Sequence, residues 1–150
     1  MSGAVVNFYR TNEPFGEFSN FAAFPIRLKN RTWPTSEHYF QAQKFAGTDD
    51  AHADAIRAAN SPMIAARMGR DRKKKLRRDW ESVKVSVMRE AVLAKFEQHA
   101  ALRELLLSTG DAKLVEHTDN DDYWGDGGDG SGRNMLGQIL MDIRGQLRGE

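Results

Sequence analysis

Cysteine is absent from this 150-residue chain. Its absence excludes a disulfide framework, a thiolate nucleophile and a cysteine-ligated zinc site, and it fits a reducing, cytoplasmic setting best. An excess of charge of either sign is lacking too: 22 Lys and Arg against 21 Asp and Glu leave a formal net charge of +1. Charge alone therefore implies no partner. No apolar run approaches the length of a bilayer span, and the opening Met1-Ser2-Gly3-Ala4-Val5-Val6-Asn7 has no basic stretch followed by an apolar one. Neither export nor membrane insertion is expected. His38, His52, His99 and His117 are scattered without paired spacing, so no metal site and no metal cofactor are expected.

What is present is ordinary for a globular protein: 40% hydrophobic and 29% charged residues in a length that suits one domain over residues 1–150 with a real core. No internal repeat is visible. Val5-Val6-Asn7-Phe8-Tyr9 reads as a short strand, and Phe24-Pro25-Ile26-Arg27-Leu28 and Arg31-Thr32-Trp33 flank a hairpin turn at Lys29-Asn30. These predict a small N-terminal antiparallel sheet. Between them, Phe15-Gly16-Glu17-Phe18-Ser19-Asn20-Phe21 sets three phenylalanines around Ser19 and Asn20. Such a loop can be anchored in the core while holding two hydrogen-bonding side chains in place, or Ser19 and Asn20 can simply form a turn.

The chain is organised around Trp33-Pro34-Thr35-Ser36-Glu37-His38-Tyr39-Phe40-Gln41-Ala42-Gln43-Lys44-Phe45. Proline pushes Trp33 out of the α region, and Thr35 or Ser36 can cap a helix that begins near Glu37. On that helix Glu37, Gln41 and Lys44 share a face, while Tyr39, Phe40 and Phe45 make it aromatic enough to be buried. Glu37 in the first turn and Lys44 near the last complement the helix dipole. A carboxylate and a lysine on a buried helix either pair with each other or do chemistry.

Gly47-Thr48-Asp49-Asp50 ends this helix and caps the next, and Ser61-Pro62 starts another that stops at Gly69. From residue 67 to 78 stand Arg67, Arg70, Arg72, Lys73, Lys74, Lys75, Arg77 and Arg78 against Asp71 alone. The cluster is either a solvated face or a site for phosphate, on a small ligand or on nucleic acid. Arg70 beside Gly69 is the more telling part, because glycine lets a backbone approach a ligand and arginine grips phosphate with two donors. Trp80 then either stacks on a heterocycle or packs in the core. A long amphipathic helix follows over residues 81–98, then a leucine-rich helix ending at Thr109-Gly110, a returning strand over residues 113–118 and a closing helix from Met135. The fold class is α+β, a helix-dominated single domain with a small sheet.

Gly125-Asp126-Gly127-Gly128-Asp129-Gly130 satisfies GxGxxG by letter but floats in a long loop near the C-terminus, away from the strand-to-helix turn a dinucleotide fingerprint requires. The EF-hand spacing fails as well, since Trp124 falls where glycine is needed counting from Asp119. What remains is a flexible loop presenting Trp124 and Asp126, or a plain solubilising connection.

Residues 15–21, residues 33–45 and Tyr123-Trp124-Gly125-Asp126-Gly127-Gly128 together resemble the NADAR family, also called YbiA-like, and Ser61-Pro62, Ala65 to Arg70 and Trp80 fit it too. The resemblance covers nearly the whole chain. It implies an N-glycosidase that hydrolyses ribosylaminopyrimidine 5′-phosphate intermediates of riboflavin biosynthesis. Other branches of the family remove ADP-ribose from guanine bases in nucleic acid, and a non-catalytic module that binds ADP-ribose or a nucleotide is the rival from another class. The resemblance places Glu37, Lys44, Trp80 and Asp126 in or near the active site, with Ser19, Asn20 and Arg70 as ligand contacts. Trp80 and Trp124 are candidate stacking platforms, and no metal or redox cofactor is implied.

Two routes suit these residues. Glu37 and Asp126 could act as an acid and a base across the bond. Alternatively, Lys44 attacks the anomeric carbon and forms a Schiff base, with Glu37 shuttling protons.

Overall fold

A computed structural model describes residues 3–149; Met1, Ser2 and Glu150, at the ends of the expected domain, lie outside the described residues. The described chain is mixed α+β and dominated by helices. No helix among the described residues is long and apolar enough to cross a membrane. Two compact units divide the chain, one of residues 23–95 and the other of residues 1–22 with 96–150.

In the unit of residues 23–95, β2 (Ile26–Leu28) and β3 (Arg31–Trp33) pair antiparallel, with Ile26 opposite Trp33 and Leu28 opposite Arg31. Lys29 and Asn30 both take positive φ, 58° and 62°, which is the left-handed pair that a two-residue hairpin turn needs. Trp33 closes the hairpin by donating its indole N–H to the Leu28 carbonyl at 3.0 Å.

The chain then enters α1 (Ser36–Gln43), capped by Thr35, whose hydroxyl oxygen accepts from the His38 N–H at 3.1 Å. Every residue from Ser36 to Ala42 is buried, as the aromatic content predicts. Helix α2 (Asp50–Arg57) is capped by Asp49 and α3 (Pro62–Gly69) by Ser61, with proline in the first turn. Both α2 and α3 pack against α1. His52 of α2 meets Phe45 edge-on, with ring centroids 4.6 Å apart. The long helix α4 (Trp80–Gln98) begins in this unit, and its residues 96–98 are counted with the other.

In the other unit, β1 (Val5–Phe8) pairs parallel with β4 (Lys113–Glu116), Val5 opposite Lys113 and Phe8 opposite Glu116. This corrects the single N-terminal sheet expected from sequence: β1 does not join the hairpin, and two separate two-stranded sheets form. Parallel pairing leaves no trace in local spacing because the partner strand lies more than a hundred residues away. Helix α5 (Ala100–Ser108) leads to β4, and α6 (Met135–Leu147) packs on both. Gly137 permits that approach, since a Cβ there would stand 2.1 Å from the Leu114 carbonyl oxygen.

The phenylalanine loop is anchored by fewer rings than expected. Phe18 is fully buried against Phe8 and Phe96, at centroid distances of 5.7 and 5.8 Å, and Phe15 lies 5.6 Å from it. Phe21, by contrast, is exposed. The Phe15 backbone is left-handed at φ 64°, and a Cβ on Gly16 would stand 2.5 Å from the carbonyl oxygens of Arg10 and Thr11. Close approach of the chain to itself therefore demands glycine here.

Candidate active site

The geometry of α1 places Glu37 and Gln41 one turn apart, and Gln41 donates its Nε2–H to Glu37 Oε2 at 2.7 Å. Both side chains are buried. Lys44 follows at the C-terminal end of the helix, half-buried, and its Nζ donates to the Gly69 carbonyl oxygen at 3.4 Å and lies 5.8 Å from the centre of the Phe40 ring. Burial pushes the Lys44 ammonium below its ordinary value, Glu37 works against that shift, and the positive charges of Arg70 and Lys84 add to it. A cation short of solvent gives up its proton more readily than a surface lysine. Glu37, Gln41, Lys44 and the end of α3 thus form one cluster, with a carboxylate and a partly desolvated lysine on the same helix face.

Arg70, just past the end of α3, is exposed, and the basic stretch after it runs through turns in which residues 72–76 are exposed. Two backbone contacts tie the stretch down: the Arg77 N–H donates to the Lys44 carbonyl at 2.8 Å, and the Thr48 hydroxyl donates to the Lys75 carbonyl at 3.0 Å. Arg77 also grips Asp79 through Nε at 2.7 Å and Nη2 at 3.1 Å. Trp80 is buried and tilted against Phe40, centroids 5.1 Å apart. Tyr39 is shut from solvent, and burial first, then a short hydrogen bond donated to Glu90, raises its hydroxyl far above the ordinary range.

The remaining candidates belong to the other unit. Ser19 and Asn20 are buried, and Ser19 Oγ accepts from the Phe21 N–H at 3.1 Å, a local turn. Trp124 is half-buried, edge-on to Tyr123 with centroids 4.9 Å apart. Asp126 is buried and fully engaged: Oδ1 accepts from the N–H groups of Thr118 at 3.0 Å and Gly128 at 2.9 Å, and Oδ2 lies 2.8 Å from His117 Nδ1. Burial alone would raise this carboxyl, but the bonds from His117, Gly128 and Thr118 outweigh it and hold the group below its ordinary value. The glycine-rich loop expected to be flexible is laced by backbone bonds, among them Gly132 N–H to Asp126 O at 2.8 Å and Asn134 N–H to Gly125 O at 2.9 Å.

Two participants carry little signal in the sequence. Gln41 is legible there only as a member of the Glu37 face. His117 stands at a strand end before an acidic loop, and nothing in spacing marks it as the partner of Asp126.

A helix-dominated α+β fold that buries a carboxylate and a carboxamide on one helix, with a half-buried lysine at its end, has the construction of an enzyme. The chain belongs to the NADAR domain family, whose model matches residues 7–148. It is 63% identical over 147 residues to N-glycosidase YbiA of Escherichia coli strain K12, covering 98% of this chain and 91% of that protein. It is 42% identical to the chloroplastic riboflavin biosynthesis protein PYRR of Zea mays over 97% of this chain and 25% of that one. The NMR structure of the E. coli protein YbiA superposes with a TM-score of 0.90 at 62% identity, over 99% of this chain and 87% of that one.

Proposed function

We propose that this chain is an N-glycosidase that hydrolyses the bond between the anomeric ribose carbon and the exocyclic nitrogen of ribosylaminopyrimidine 5′-phosphates, intermediates of riboflavin biosynthesis. The names of its relatives support the reading: N-glycosidase for the E. coli protein and riboflavin biosynthesis for the maize one. The observation that carries the chemistry is Lys44, an amine disfavoured as ammonium by burial and set on the same helix face as Glu37.

In this mechanism the riboside opens to its imine, and the neutral Lys44 amine adds to C1. Glu37 passes the two protons that Lys44 sheds, one after the other, to the exocyclic nitrogen, so the first gives an aminal, the second lets the aminopyrimidine leave as a neutral amine, and C1 remains bound to Lys44 as a Schiff base. Water then adds to that Schiff base and releases ribose 5-phosphate and the free lysine. The sum is riboside plus water giving aminopyrimidine plus ribose 5-phosphate. Arg70, exposed just past α3, is the proposed phosphate grip. Trp80 shapes the aromatic wall through Phe40.

Ser19 and Asn20 are carried as ligand contacts and Trp124 as a stacking surface. Asp126, which the sequence pairs with Glu37 in an acid–base route, is better supported as the organiser of the loop that carries Trp124, because both its oxygens are already engaged. The single domain over residues 1–150 is part of the proposal, supported by a family model that spans both units. A cytoplasmic setting is supported by the lack of cysteine.

The test is incubation with an equal mixture of ribosylaminopyrimidine 5′-phosphate and an oligonucleotide bearing ADP-ribosylated guanine, both followed by mass spectrometry. Loss of the pyrimidine riboside with ribose 5-phosphate appearing is expected. Loss of the oligonucleotide adduct alone would move the activity to nucleic acid, and loss of neither would leave a binding module. Borohydride trapping of a ribose adduct on Lys44 distinguishes the lysine route from acid–base hydrolysis.

A further inference from the structure

The cluster on α1 contains a buried carboxamide that is satisfied at one end only. Gln41 gives one amide hydrogen to Glu37 Oε2 at 2.7 Å, while its own Oε1 is sealed from solvent with no hydrogen-bond partner. A buried acceptor left unpaired opposes folding, and the amide bears that cost while its other end serves the Glu37 carboxylate. The amide cannot relieve it by turning over, because Oε1 would then face the Glu37 carboxylate, two acceptors with no proton between them.

Gly69 is built to the same arrangement. A Cβ at that position would stand 1.9 Å from Gln41 Oε1, 2.7 Å from its Cδ and 3.1 Å from its Cβ. Its φ lies outside the left-handed region, so the backbone does not call for glycine. The missing side chain is what admits the carboxamide. The carbonyl of the same residue meets Lys44 Nζ at 3.4 Å, so one residue of α3 touches both arms of the cluster.

We infer that Gln41 is a positioning residue for the Glu37 carboxylate, and that Gly69 is glycine so that the Gln41 carboxamide can reach it. The inference rests on the reading of Glu37 and Lys44 as the reacting pair. Gln41 fixes the rotamer of Glu37, so that Oε2 is held by the amide and the carboxylate is aimed for proton transfer rather than free to rotate. Misaiming a reacting group by about an ångström costs on the order of a hundredfold in rate.

The experiment compares Gln41→Met and Gly69→Ala with Glu37→Gln and Lys44→Ala in the riboside assay, recording kcat, KM and thermal midpoint. Methionine matches the length of glutamine without its polar atoms. Alanine at 69 leaves the carbonyl that meets Lys44 in place and crowds the Gln41 side chain from its Oε1 back to its Cβ, and the thermal midpoint reports what that crowding costs the fold. Both variants are expected to lose about 10- to 100-fold in kcat with KM within about threefold of the parent, a loss out of proportion to the modest fall in thermal midpoint that Gln41→Met brings by taking the donor from a buried carboxylate. Parent-like kcat in either variant would overturn the inference, as would losses that track a falling thermal midpoint. If Glu37→Gln and Lys44→Ala both retain turnover, the underlying reading fails. If those two are inactive while Gln41→Met is fully active, only the positioning role does.

Discussion

His38 Nε2 lies 3.0 Å from the carbonyl oxygen of Ala59, and its Nδ1 lies 2.8 Å from the hydroxyl of Thr35. A carbonyl can only accept, so the proton sits on Nε2 and the Thr35 hydroxyl donates to Nδ1. Burial favours the neutral ring, which ties the start of α1 to the chain beyond α2. Burial lowers the His38 value from its ordinary 6.5, with the bond to Ala59 opposing the shift. The folded protein thus binds fewer protons at this site than the unfolded chain, and stability rises with pH. The contribution is complete above about 6.5 and is lost progressively as pH falls towards the lower folded value. Thermal midpoints measured across mildly acidic pH should decline, and His38→Gln should flatten that decline while costing about 1–3 kcal/mol at neutral pH.

Lys44 offers a stability test that separates function from folding. A partly desolvated cation with a long 3.4 Å bond to a carbonyl, an aromatic face at 5.8 Å and one carboxylate on its helix contributes little net stability to the fold. Lys44→Met should abolish turnover and leave the thermal midpoint unchanged or raised by about 1 kcal/mol of stability, the pattern of a residue kept for chemistry. Lys44→Arg keeps the charge but cannot form an imine, so substantial retained turnover would exclude the lysine route.

The pH dependence of the rate carries the same signature. In the proposed lysine route Lys44 reacts as the free amine, which burial favours below the ordinary 10.5. Activity should therefore rise with pH through a lysine limb displaced to lower pH. A limb at or above the ordinary value would contradict the dry environment of this side chain.

Asp126 should behave as a structural carboxylate. Asp126→Ala strands the N–H groups of Thr118 and Gly128 and removes the partner of His117. A loss of about 2–4 kcal/mol is expected, with faster amide exchange at Thr118 and Gly128. An unchanged thermal midpoint with lost turnover would restore Asp126 to the acid–base role.

Gly137 and Gly69 make a contrast in what a methyl group does. At Gly137 the added carbon meets the Leu114 carbonyl, which belongs to β4 and cannot step aside. Gly137→Ala should cost about 3 kcal/mol or more in denaturant unfolding, whereas Gly69→Ala meets a side chain rather than backbone and should cost less.

Elements with local signals were legible. Thr35, Asp49 and Ser61 cap three helices by accepting from the N–H groups of His38, His52 and Ile64, as short polar residues before helix starts predict. The Lys29-Asn30 turn was legible for the same reason, since two strand-like runs flank two residues able to take positive φ. The pairing of β1 was not. Val5 to Phe8 reads as a strand, but which strand it joins depends on a partner at Lys113 to Glu116 that leaves no local mark.

The sequence by itself determined the helices, their caps, the hairpin and the shared face of Glu37, Gln41 and Lys44, because each follows from spacing along one element. Tertiary structure alone decided that β1 lies parallel to β4, that Asp126 is spent on His117 and two backbone N–H groups, and that Gly69 makes room for Gln41. Those outcomes depend on groups distant in the chain meeting within a few ångströms, and such meetings are fixed by packing, to which residue spacing is blind.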